Sequence, residues 1–393
     1  MSATLDDYRW LVSEAAQPWL DGVTKDFGES VTPGLLQQLR KDLSTDRAHL
    51  IVEQVELRRR AREKFSLADR MFFTRKGLEQ ATDEILANYK AARFQTLGVL
   101  DLCCGIGGDL IAQAQRCHTL GVDRDPIIVV LAAANVSALG SCAFGHHVKD
   151  ADAQMCWQTG GEWHCDPDRR VDDLRTTRLD SFDPPQEFLD RFLKHNSSAA
   201  IKLAPATEVP PHWWDACERE WLGSRGECRQ QVAWFGSLAR HPGQHAATVV
   251  AADGNARTVV GTFSEPVPVA EQLGRYVYEP HAAVLAANLT GALCREHNLA
   301  AVSAGIGYLT GDRLISDAAL AAFEVREVLP FDRKQLRAWC REHAIGRLEI
   351  KKRGVTVDPR QLRAEIVAAG DNEATLILTP VEGRVRALVA SRI

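Results

Sequence analysis

Apolar residues change their spacing twice along the chain. Up to about residue 95 the spacing is helical: Leu35, Leu36, Leu39 and Leu43 recur on one helix face, and the run VEQVELRRRAREKF that follows is charged and poor in strand formers. The segment MFFTRKGLEQATDEILANYKAARF, residues 71–94, ends in an amphipathic helix. From about residue 96 short strand-like runs take over: LGVLDLC (97–103), TLGVD (119–123), HHVKDAD (146–152), EWHCD (162–166) and AAIKLA (199–204). Helical segments lie between at least the first pairs, so the pattern predicts an α/β fold with a parallel sheet covered on both faces. Two more β-like runs, CRQQVAWFG (228–236) and AATVVAAD (246–253), flank the turn HPGQH and predict an antiparallel hairpin closing the sheet.

A second break falls at SEPVPVAEQ, residues 264–272, where two prolines interrupt the periodicity. Beyond it AAVLAANLTGALCREHNLA predicts one helix. From about 322 the order is strand (EVREVL), helix (RKQLRAWCREH), strand (RLEIKKRG), helix (PRQLRAEIVAAG) and two strands (ATLILTPV, RVRALVASR), a small α+β sandwich. The predicted divisions are a helical region 1–95, a sheet domain 96–263, a connecting helical segment 264–321 and an α+β domain 322–393. No internal repeat or low-complexity segment interrupts them.

Composition narrows the possibilities. At 393 residues and 45% hydrophobic the chain can bury a large core. A net charge of -5 gives no general attraction for a polyanion, so a nucleic-acid partner needs local basic surface. No apolar run reaches the roughly 20 residues that span a bilayer, and MSATLDDYRWLVSEAA has acids where a signal peptide has lysines, so a soluble cytoplasmic protein without membrane contact is expected. The ten cysteines form no C-x-x-C pair, and His146, His147, His241 and His245 show no ligand spacing; reduced thiols and no metal are expected.

The densest local signal is LDLCCGIGGD, residues 100–109. Asp101 closes a strand, Gly105, Gly107 and Gly108 form a turn in which a ligand can approach bare backbone, and a helical run follows. Asp123 ends the next strand 22 residues after Asp101, where a βαβ unit places an acid on the ribose hydroxyls of a nucleoside. Neither G-x-G-x-x-G nor G-x-x-x-x-G-K-[ST] is present. Asp101 and Asp109 would repel a pyrophosphate and suit a ligand with an ammonium tail. S-adenosylmethionine carries that tail together with ribose and adenine, and Asp152 is placed to accept from the adenine amino group.

These stretches resemble the class I S-adenosylmethionine-dependent methyltransferases, a Rossmann-like fold: DLCCGIGGD is similar to their first motif, GVDRDP to the second, KDADA to the third and CDPDRR (165–170) to the fourth. FFTRKGLEQAT, CGIGGD and the tail GRLEIKKRG with TLILTPV resemble bacterial methyltransferases that carry a THUMP-like C-terminal domain, with a core similar to trimethylguanosine synthase. The resemblance implies that Asp101 holds the methionine amine, that the backbone of Cys103, Gly105 and Gly107 packs on methionine and ribose, that Asp123 takes the ribose hydroxyls and Asp152 the adenine, and that Phe73 and Thr74 lie against the cofactor. Cys103 and Cys104 are then small turn residues and not nucleophiles.

The fourth motif departs from N-P-P-Y: Asp166, Pro167, Asp168 and Arg169 carry no aromatic. It is similar to D-P-x-R of the uracil C5 methyltransferases, yet the following strand, IKLAPATEVP, lacks their cysteine. Transfer to a nitrogen or oxygen remains, with Asp166 as acceptor or base and Arg169 positioning a phosphate or carboxylate. The mechanism expected is direct displacement at the sulfonium methyl without a metal. The acceptor expected is RNA, tRNA or rRNA, held in part by the tail; a small molecule or protein acceptor, or a silent cofactor-binding protein associated with RNA, are the alternatives. Three further features have two readings each. The Arg58 to Lys64 run can face phosphates or water, Trp213 and Trp214 can stack on a base or cap a core edge, and Lys351, Lys352 and Arg353 can bind RNA or lie in a solvated loop.

Overall fold

The computed structural model describes residues 3–26, 33–140, 144–156, 161–171, 174–367 and 370–393. The helical start is as the spacing predicts: α1 (Leu5–Leu11), α2 (Gln17–Asp26), α3 (Pro33–Leu39), α4 (Thr45–Ala61), α5 (Arg75–Gln80) and α6 (Glu84–Ala91). A capping box opens α1: the Thr4 hydroxyl accepts from the Asp7 amide while the Asp7 carboxylate accepts from Thr4. The arginine run divides. Arg58 is buried, donates to the Met71 carbonyl at 2.9 Å and lies over the Phe72 ring, whereas Arg59, Arg60 and Arg62 face water.

The sheet of the first region comprises β1 (Gly98–Leu102), β2 (His118–Asp123), β3 (His146–Asp150), β4 (Glu162–Cys165) and, after a two-residue ribbon of β5 (Arg170–Val171) and β6 (Leu174–Arg175), β7 (Ala199–Leu203). Helices α7 (Gly108–Ala114), α8 (Pro126–Ser137) and α9 (Gln186–His195) alternate with them. Strands β7-β4-β1-β2-β3 run parallel in that order. β1, β4 and β7 are buried almost throughout, as strands covered on both faces are. One core joins Leu20, Ile51 and Phe73 of the N-terminal helices to Ile106, Leu110 and Leu131 of the turn, α7 and α8.

The predicted hairpin of residues 228–236 with 246–253 does not form. β9 (Glu227–Phe235) pairs antiparallel with β7, and it follows β8 (Cys217–Ser224) through a two-residue turn in which Arg225 and Gly226 both take positive φ, the turn geometry that suits strand twist. β10 (His245–Val250) pairs instead parallel with β8 and antiparallel with β11 (Ala256–Gly261). The short turn signal Arg-Gly outcompetes the longer Pro-Gly connection.

Two compact units result. The first contains residues 1–218, 231–242 and 252–254; the second contains 219–230, 243–251 and 255–393. The N-terminal helices thus share a unit with the parallel strands, and the proline break at 264–272 falls inside the second unit. In that unit a seven-stranded sheet has the order β13 (Ala300–Ala301), β14 (Leu309–Gly311), β12 (Tyr276–Pro280), β15 (Leu320–Pro330), β18 (Arg384–Arg392), β17 (Asn372–Val381) and β16 (Ile345–Lys352). The elements predicted after 322 form with α12 (Arg333–Glu342) and α13 (Pro359–Ile366) in place, and the sheet extends further upstream than the sequence suggests. Alternate residues of β17 serve two cores: Leu376 and Leu378 meet α12 and α13, while Ile377 packs with Tyr308 and Phe323 on the other face. The helix predicted across 282–300 is two, α10 (Ala282–Ala286) and α11 (Thr290–His297), because Asn288 adopts a left-handed conformation between them.

Candidate functional site

The first unit's turn is built from three left-handed residues in five: Cys103 (φ 57°), Gly105 (φ 54°) and Gly107 (φ 89°), which caps α7. Around Gly105 the position a Cβ would take is open, whereas at Gly107 it lies 3.8 Å from Ala132 of α8. Asp123 ends β2 beside this turn. Its carboxylate accepts from the Gly105 amide at 3.0 Å and from the Asp125 amide at 3.1 Å. Burial raises its pKa against the pull of those two amides. Asp125 then caps α8, with Pro126 in the first turn, so GVDRDP is strand end, acid and helix start in one stretch.

Beneath the turn lies a buried ionic chain. Asp101 of β1 faces His164 of β4 across the ladder, with Asp101 Oδ1 and His164 Nδ1 2.6 Å apart. The other imidazole nitrogen is 3.8 Å from Asp109 Oδ2, and Asp109 Oδ1 is 2.7 Å from Lys90 Nζ of α6. The Thr82 hydroxyl donates to Asp109 at 2.7 Å. Burial pushes the Asp109 carboxyl up, but Lys90, His164 and Lys202 pull it further, to well below the usual range. Burial also raises Asp101 and lowers Lys90. Asp109 is therefore engaged by Lys90, so the pairing of Asp101 and Asp109 as two free acids facing a ligand is not what forms. Asp101 Oδ2 and His164 Nε2 are buried without a hydrogen-bond partner.

Asp166 follows β4 and stands 2.5 Å from Lys202 Nζ of β7, whose amine also donates to the Gln80 carbonyl at 3.3 Å. Asp168 receives Lys76 at 3.0 Å and Gln80 at 3.4 Å, so α5 grips the fourth motif. Arg169 is half-buried. Asp152 lies past the end of β3, exposed, and accepts from the Gln154 amide at 2.8 Å. The Phe73 ring is buried in the helical core 6.0 Å from Phe65, and the Thr74 hydroxyl caps α5 by accepting from the Gly77 amide. The segment reaches the turn through its backbone: Asn135 of α8 accepts from the Phe72 amide at 2.6 Å and donates to the carbonyls of Phe72 and Ile106.

Lys90, Asn135, His164 and Lys202 escaped the sequence reading. A charged residue inside the apolar run AAIKLA and a histidine in a four-residue buried strand were the available signals. Lys90 and Asn135 sit on helices and carried none. Trp213 is buried, donates to Asp190 at 2.7 Å and meets the edge of Phe235, whereas Trp214 is 47% exposed. Lys351 and Arg353 both pair with Glu279, leaving Lys352 exposed. Cys103, Cys104 and seven others are free thiols, and burial raises Cys104 well above its usual range; Cys142 lies outside the described residues. Among the described residues Glu296, His297 and Asp317 converge in the second unit, with the Arg257 guanidinium already bridging Glu296 and Asp317.

Three comparisons bear on this geometry. Residues 320–392 match the THUMP domain-like family. Over 347 residues, 86% of this chain and 94% of the relative, the sequence is 29% identical to an uncharacterized S-adenosylmethionine-dependent methyltransferase of Mycobacterium tuberculosis, in strains CDC 1551 and H37Rv alike. The chain is thus similar over most of its length to an S-adenosylmethionine-dependent methyltransferase, and its C-terminal segment matches a THUMP-like family. The crystal structure of a candidate methyltransferase from Porphyromonas gingivalis W83 shares the fold, with a TM-score of 0.80 at 18% identity over 100% of this chain and 99% of that one. No helix among the described residues is long and apolar enough to cross a membrane.

Proposed function

We propose that the chain is an S-adenosylmethionine-dependent methyltransferase whose acceptor is a nitrogen, or an oxygen, of an RNA nucleotide. The observation that carries the cofactor is the turn itself: an open position at Gly105, a carboxylate at the end of β2 and a buried, unpartnered oxygen on Asp101 suit ribose hydroxyls and an ammonium group. In this reading Asp101 receives the amine, Cys103, Gly105 and Gly107 present backbone, Asp123 receives the ribose and the exposed Asp152 the adenine. Phe73 and Thr74 act from behind, by packing and by capping α5, and the Phe72 to Ile106 link through Asn135 holds that segment on the turn. When bound, the cofactor supplies an electrophilic methyl carbon.

Asp166 is the acceptor-side acid, and Lys202 fixes its orientation. A carboxylate held at the C-terminal end of β4 can accept from an amine or hydroxyl aligned with the methyl, and Arg169 beside it suits a phosphate. The RNA reading rests on the THUMP-like tail, and a cytoplasmic location is proposed beside it. In this division of labour the unit of residues 1–218, 231–242 and 252–254 builds the cofactor site, and the second unit, in which strands of 264–321 share a sheet with 322–393, meets substrate. One observation favours a small molecule or protein acceptor instead: Lys351, Arg353 and Arg392 of the tail are held by Glu279 and Glu349 and offer phosphate less charge than the sequence suggests.

Radiolabelled methyl transfer to total RNA, small-molecule extract and protein fractions, with wild type and Asp166→Asn, tests both readings. Counts in RNA that Asp166→Asn abolishes, with cofactor affinity intact, are expected; counts in another fraction alone would overturn the RNA assignment.

A further inference from the structure

We infer that His164 is a positioning residue of the cofactor site: it grips one oxygen of Asp101, leaves the other for the cofactor's ammonium group, and shares with Asp101 a proton that leaves when that ammonium binds. The inference rests on the S-adenosylmethionine reading above. Asp101 and His164 are register partners on adjacent parallel strands, both 1% exposed at the side chain, and 2.6 Å apart. Two atoms of the pair, Asp101 Oδ2 and His164 Nε2, are buried and unpartnered, which is costly unless a ligand or a proton serves them.

The charges around the pair decide which. From α7, Asp109 faces His164 at 3.8 Å, and from α6, Lys90 holds Asp109 at 2.7 Å. From β7, Lys202 pairs with Asp166 beyond the end of β4 at 2.5 Å. The thiols of Cys103, Cys104 and Cys165 and the carboxylate of Asp123 complete the surroundings and carry no cation. Lys90 and Lys202 thus balance Asp109 and Asp166. Asp101 is the carboxylate in this cluster, among the described residues, whose compensating charge is the proton it shares with His164. Burial favours keeping that proton. An ammonium group docked on Asp101 supplies the same charge, and two positive charges at one buried carboxylate repel strongly. The proton then passes to solvent, and binding S-adenosylmethionine releases it.

Calorimetric titration of the full chain with S-adenosylmethionine in phosphate and in Tris, across neutral pH, measures that proton. We expect release of about one proton per cofactor, with affinity rising up to about tenfold per pH unit while the pair is protonated. 5′-Methylthioadenosine, which lacks the amino acid tail, should bind without release. His164→Gln retains a donor to Asp101 and should bind the cofactor with the pH range of the release shifted, which separates the pair's proton from any on the cofactor's own amine. His164→Leu should lose affinity as well. Equal proton uptake or release with both ligands, or none with S-adenosylmethionine, overturns the inference even if the glutamine variant fails to fold. No binding of either ligand to folded wild type strikes the cofactor reading itself.

Discussion

In the first unit charged side chains are drawn under the site: the Lys90 and Asp109 side chains are 2% and 8% exposed, and Asp101 and His164 lie beside them. In the second unit the pair of Arg347 with Glu373 stands on the outside of the sheet, at 75% and 71% exposure. The same residue types do different things in the two settings. A buried pair holds geometry at the cost of desolvation, and losing one partner strands the other. An exposed pair is screened and contributes little. The contrast teaches where desolvation is met: beside the glycine turn the charges are buried and paired, and at the Arg347–Glu373 edge they stay in water.

The sharpest way to break that comparison is Lys90→Met. It leaves Asp109 buried with Thr82, His164 and the charge of Lys202, and we expect a loss of about 3 to 5 kcal/mol in urea unfolding, with Lys90→Met plus Asp109→Leu recovering much of it. A single variant as stable as wild type would mean that the chain of charges under the turn is not buried in solution.

Two glycines sharpen the contrast at lower amplitude. Gly105 in the site and Gly383 in the β17–β18 turn both take positive φ with open space around them. Alanine at either should cost about 1 kcal/mol of strain. Only Gly105→Ala should also weaken S-adenosylmethionine, by roughly tenfold, because its methyl group would enter the space the ligand uses. Equal cofactor affinity in both variants, measured by calorimetry, would move the ligand away from the turn.

How much of this was legible in the sequence follows from the range of each signal. The strand, glycine turn and helical run at residues 100–109 are local, and these elements formed as read. The pairing of β9 was not, because 228–236 and 246–253 are equally good strands and the partner is chosen by a two-residue turn outside both. The partners of Asp101, Asp109 and Asp166 were invisible for a deeper reason. His164, Lys90 and Lys202 are respectively 63, 19 and 36 residues from the acids they meet, and only the fold brings them there. Phe73 shows the converse: its place in the chain resembles a cofactor contact, and the apolar ring went to the core.

Acid pH should separate the units next. In the second unit the Asp317 carboxyl is raised by burial and lowered further by the Ala319 amide, Arg257 and His297, for a net depression. A depressed carboxyl contributes stability above its unfolded value of 3.8 and loses it as pH falls through the lower folded value. Asp317→Asn should therefore flatten the acid limb of the stability profile below that value. In the first unit Asp101 is shifted up and Asp109 down, so their contributions to that limb oppose one another.

The smallest effect belongs to Arg347→Ala. Arg347 and Glu373 are both highly exposed, 3.2 Å apart on neighbouring strands, and an exposed pair gains little in water while ordering two long side chains. Thermal unfolding should not change measurably, and adding salt should not distinguish the variant from wild type. A loss comparable to that of Lys90→Met would place this edge of the THUMP-like sheet under a partner or a fold contact that shields it from water, and the division between buried charge at the site and screened charge in the tail would fail at its weakest point.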